Sequence, residues 1–92
     1  MDQNWIDLNE NLSKILEESD NLILAPFTFD LLDCVWSDII VEEDEELSKE
    51  LVEAYVHEVE SSLQIMNPEL KKDVETLEKV LKQLKMYLDP IL

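Results

Sequence analysis

Carboxylates crowded into the middle of the chain are the residues with the most chemistry to offer. Glu42, Glu43, Asp44, Glu45, Glu46, Glu50, Glu53, Glu58 and Glu60 put nine acids into 19 residues. As helix, that stretch runs about 28 Å, or roughly one charge per 3 Å, at ~1.5 Å of rise per residue. One strand of DNA carries a charge about every 3.4 Å of its axis. Glu46, Glu50, Glu53 and Glu60 also keep the three- and four-residue rhythm of a single helix stripe, shared by His57 and Gln64. Asp30 and Asp33 make a second, smaller patch upstream. These ten positions (Glu42, Glu43, Asp44, Glu45, Glu46, Glu50, Glu53, Glu60, Asp30 and Asp33) are the expected contacts for a basic partner surface.

Other chemistries find too few residues. A di-iron bundle needs paired Glu-x-x-His motifs, whereas this chain has one histidine, His57, with Glu53 four residues before it. The acidic run from Glu42 to Glu46 lacks the glycine and the alternating ligands of a calcium loop. One cysteine and one histidine cannot close a zinc site. Neither a metal nor another cofactor is expected. Glu53, His57 and Ser61 follow one another at four-residue steps, but an exposed helix stripe offers no pocket and no oxyanion hole. Catalytic residues are therefore not expected. Cys34 reads as a small hydrophobe packed on an apolar helix face.

Two resemblances bear on function. Leu47-Ser48-Lys49-Glu50-Leu51 resembles the Ser-Gln-Glu-Leu-Asp motif of small helical phosphatases that act on sporulation-relay aspartyl phosphates. Lys49 stands where that motif has glutamine, and Val52 where it has its last aspartate, so phosphatase activity is not implied. In composition the chain resembles small acidic DNA mimics and nuclease immunity proteins. That likeness implies an inhibitor that docks on a nuclease, a toxin or another nucleic-acid-binding protein.

The charge is unevenly placed. Of a net −16, residues 1–66 carry 18 acids against two lysines, Lys14 and Lys49, while residues 67–92 are neutral. Such a field repels nucleic acid and anionic membranes and attracts basic proteins. It also opposes folding by self-repulsion, a cost that a binding role would explain. No arginine is present, so no guanidinium fork can read phosphate. Lysine without arginine suits an AT-rich genome, such as that of a phage or mobile element. One cysteine fits a reducing compartment, and the start Met1-Asp2-Gln3-Asn4 lacks a signal-peptide pattern. A cytoplasmic protein is the expectation.

The elements that must position the acids follow from apolar periodicity. At 92 residues, 46% hydrophobic and with no glycine, the chain predicts one all-α domain over residues 1–92. The spacing predicts four amphipathic helices near 4–18, 27–41, 44–66 and 68–88, the last two forming an antiparallel hairpin across Asn67 and Pro68. Asn67 reads as the cap of the fourth helix and Pro68 as its first residue. Leu70, Leu77 and Leu84, with Val74, Leu81 and Leu88, read as its heptad seam. The expected core is Trp5, Leu8, Leu12, Ile15, Phe29, Leu32, Trp36, Val56, Val59, Leu63, Leu77, Leu81 and Leu84. Ser19-Asp20-Asn21 reads as the first helix's stop, and Leu22 to Pro26 as an apolar connector. Leu31, Cys34, Val35 and Ile40 make helix two more apolar than one buried stripe requires. From that surplus and the heptads comes a second reading: an adaptor or subunit that oligomerises, as a homodimer or with another chain.

Overall fold

Apolar residues recur at helical spacing through four segments, and each segment is a helix. The computed structural model describes residues 3–20, 24–41 and 45–88. The helices are α1 (Gln3–Asp20), α2 (Pro26–Val41), α3 (Glu45–Ile65) and α4 (Lys71–Leu88). Every pair packs together except α1 with α3, and α4 lies most extensively on α3 and α1. This is a small four-helix bundle whose last two helices form an antiparallel hairpin. Among the described residues, no helix is long and apolar enough to cross a membrane.

The core draws on all four helices: Trp5, Leu8, Leu12, Ile15, Leu32, Val35, Ile39, Val52, Val59, Leu77, Val80, Leu84 and Tyr87 are buried. Burying one such side chain contributes about 1.5–3 kcal/mol. Trp5 and Tyr87 meet edge to face, with centroids 5.4 Å apart and planes at 62°, and so join the start of α1 to the end of α4.

A polar contact organises the other end. The Asp73 side chain is buried in the first turn of α4. Its Oδ2 accepts the Ala25 backbone N–H at 2.9 Å and the Thr28 hydroxyl at 2.9 Å. Ala25 precedes α2, and its carbonyl takes the first helical bond, from Phe29 N–H at 3.1 Å. Alanine is a poor N-cap because its side chain has no acceptor. Asp73, from another helix, takes the N–H of Ala25 itself and the Thr28 hydroxyl, beside the positive ends of two helix dipoles. Pro26 at the first helical position removes a donor that would otherwise lack a partner.

Several expectations need correction. Asn67 and Pro68 do not open α4; they form a turn. Leu70 N–H bonds the Asn67 carbonyl at 3.0 Å and Glu69 N–H bonds the Asn67 side chain at 3.0 Å, so the helix starts three residues later than expected. Proline in second place and asparagine in first suit such a turn as well as they suit a cap. The first helix ends inside the stretch Ser19-Asp20-Asn21 read as its stop, two residues beyond the expected limit at 18. The Ser19 hydroxyl donates to the Leu16 carbonyl at 2.8 Å and α1 continues to Asp20.

The α4 seam is rotated from its expected position. Leu77 and Leu84 are fully buried, but their companions are Asp73, Val80 and Tyr87. Val74, Leu81 and Leu88 are only half-buried, and Leu70 is 39% exposed. On α2, Thr28 takes the core place expected of Phe29, which is 38% exposed. Trp36, Val56, Leu63 and Leu81 flank the core half-buried. Cys34 is exposed rather than packed. Of the apolar connector, Leu24 and Ala25 are half-buried, whereas Leu22 and Ile23 lie outside the described residues.

Buried hydroxyls are compatible with the rotation. Ser62 donates to the Glu58 carbonyl and Thr76 to the Lys72 carbonyl, each at 2.8 Å and one turn back on its own helix. A hydroxyl satisfied this way can enter an apolar seam without leaving a stranded donor. Among the described residues, no buried side-chain nitrogen or oxygen lacks a partner.

Two substitutions test this account by urea unfolding. Leu77→Ala should cost about 2–5 kcal/mol, the usual range for a buried leucine. Asp73→Ala should cost about 2–4 kcal/mol, since it removes a helix cap and strands a buried donor. Asp73→Asn keeps one acceptor oxygen where both bonds converge and should cost less than half as much. Equal losses for Asn and Ala would show that charge, and not the shared acceptor, holds α2 to α4.

Candidate functional site

The expected carboxylates divide between two neighbouring helices and an undescribed stretch. Glu46, Glu50 and Glu53 are exposed on α3, and Glu60 is half-buried farther along it. The buried residues of α3 (Ser48, Val52, Val59 and Ser62) occupy the opposite side of the same helix. The acidic stripe thus faces outward over about 21 Å, taking ~1.5 Å per residue from Glu46 to Glu60. Asp30 and Asp33 are exposed on α2. Glu42, Glu43 and Asp44, together with the side chain of Glu45, lie outside the described residues.

Lysines are distributed in the opposite sense. α4 carries five, Lys71, Lys72, Lys79, Lys82 and Lys85, whereas α2 has none and α3 only Lys49. Two of the α4 lysines reach acids on flanking helices. Lys79 lies 3.9 Å from Glu18 of α1, and Lys85 lies 3.3 Å from Glu60 of α3. Both pairs are well exposed, so each contributes only about 0.2–1 kcal/mol. They nevertheless compensate the α4 flank, where Glu60 has an internal counterion. Glu46, Glu50, Glu53, Asp30 and Asp33 lie toward the other helices or outward.

Tyr55 fixes α3 against α2. Its hydroxyl donates to the Asp38 carboxylate and lies 3.3 Å from the Cys34 carbonyl. Burial first, then the bond to Asp38 and that group's negative charge, push the phenol well above its ordinary value of 10.0. Asp38 is therefore a structural acid, distinct from its neighbours Asp30 and Asp33. Spacing on α2 singles out Asp30 and Asp33 and assigns Asp38 no role. The one signal available was a tyrosine beside the α3 seam, needing a polar partner for its hydroxyl.

Chemically, this arrangement is an array of fixed negative charge. Glu53, His57 and Ser61 are all exposed on a convex helix face. Among the described residues, no three His, Cys, Asp or Glu side chains converge as metal ligands. Two open grooves flank α1. One, of about 780 Å³, lies against α4 and is bordered by Asp7, Asn11, Lys82, Gln83 and Met86; the Asn11 amide donates to Gln83 there at 2.9 Å. The other, of about 610 Å³, lies against α2 and is bordered by Trp5, Ile6, Trp36 and Ile40.

The Tyr55 contact predicts an alkaline effect. The folded state holds this proton above the pH at which the unfolded chain loses it. Stability from the contact is thus complete below pH ~10 and is lost as pH rises beyond that value toward the folded-state pKa. Tyr55→Phe should be less stable than wild type at neutral pH, and the difference should shrink above pH ~10. Melting temperatures of the two proteins across that range check it; a constant gap would rule it out.

Comparison with protein-family models, with curated proteins and with solved structures found no match.

Proposed function

We propose that this chain is a non-enzymatic binding protein that docks its carboxylate-rich α2–α3 surface on a basic partner. The observation that carries the reading is the outward stripe of Glu46, Glu50 and Glu53, on a helix with a single lysine. Glu60, Asp30 and Asp33 extend it, as do Glu42, Glu43, Asp44 and Glu45 by sequence. The partner has a lysine- or arginine-rich surface: a nuclease, a toxin or another DNA- or RNA-binding protein, inhibited by occupation of its groove. No nucleic acid or membrane is bound directly, and no cofactor takes part. The setting is a reducing, cytoplasm-like compartment, and a phage or mobile element is a fitting source.

The alternative, an adaptor that oligomerises through heptad helices, has less support. Leu77 and Leu84, the centre of that seam, are fully buried within this fold and cannot serve a second chain as well. A homodimer would also bring two strongly negative chains together.

A glutamine series tests the proposal. Glu46→Gln, Glu50→Gln and Glu53→Gln together change three exposed side chains and no buried one, so the fold should persist. Association with a basic partner captured from the source lysate should slow by roughly 10-fold or more and lose most of its salt dependence. In competition, wild type should displace the partner's nucleic acid and the triple variant should not. Equal competition by both proteins, or a complex indifferent to salt, would refute the acidic-surface reading.

A further inference from the structure

We draw no further inference here: the strongest candidate, the open apolar groove between α1 and α2 bordered by Ile6, Trp36 and Ile40, carries nothing because nothing in the structure shows what covers it.

Discussion

The structure depends on one carboxylate held between two helix beginnings. Asp73 receives the Ala25 N–H and the Thr28 hydroxyl on one oxygen, while sitting in the first turn of α4 itself. A buried acid is costly unless it is hydrogen-bonded, and here one of its bonds comes from a backbone N–H at the start of α2 that has no partner within that helix. One contact therefore satisfies both requirements. It also sets rotation: with Asp73 pinned inward, Leu77, Val80, Leu84 and Tyr87 must follow it into the core at helical spacing. The stripe that α3 and α1 pack against is chosen by this residue as much as by the leucines.

That dependence explains what could be read in advance. Helix number, approximate limits and the α3–α4 hairpin were legible because apolar periodicity and a short connection dictate them. The seams were legible only where they are apolar throughout, as in Trp5, Leu8, Leu12 and Ile15 of α1. On α4, Val74, Leu81 and Leu88 look as suitable as Asp73, Val80 and Tyr87, and hydrophobicity alone prefers the wrong set. Thr28 against Phe29 on α2 is the same case. Asp73 and Thr28 lie 45 residues apart in sequence and give no local sign that they are partners. Turn chemistry misled similarly, because Asn67-Pro68 suits both a helix start and a reverse turn.

Of the candidate site, the α3 stripe was legible and its surroundings were not. Periodicity alone places Glu46, Glu50 and Glu53 opposite Val52 and Val59, and their exposure follows. Tertiary pairing decides the rest. Lys85 finds Glu60, Lys79 finds Glu18, and Tyr55 takes Asp38, so chemically identical carboxylates have different duties. The α1–α2 groove is a product of packing, since Ile6 and Ile40 look unremarkable on their separate helices.

The placement of lysine bears on the proposed function. If negative charge served only to keep the protein dispersed, mixing lysines among the acids of α2 and α3 would relieve repulsion at no loss of polarity. Instead α4, in contact with every other helix, carries five of the seven lysines, and two of them bridge outward to α1 and α3. This arrangement relieves repulsion along the helix that organises the core and leaves it along α2 and α3. Surface ion pairs are worth too little for their position there to be a stability device. Long-range attraction, by contrast, depends on the sign and continuity of the whole face, and any lysine inserted into it would weaken the field a basic partner meets. Gathering five of the seven lysines on one helix is how a bundle this small relieves repulsion around its core.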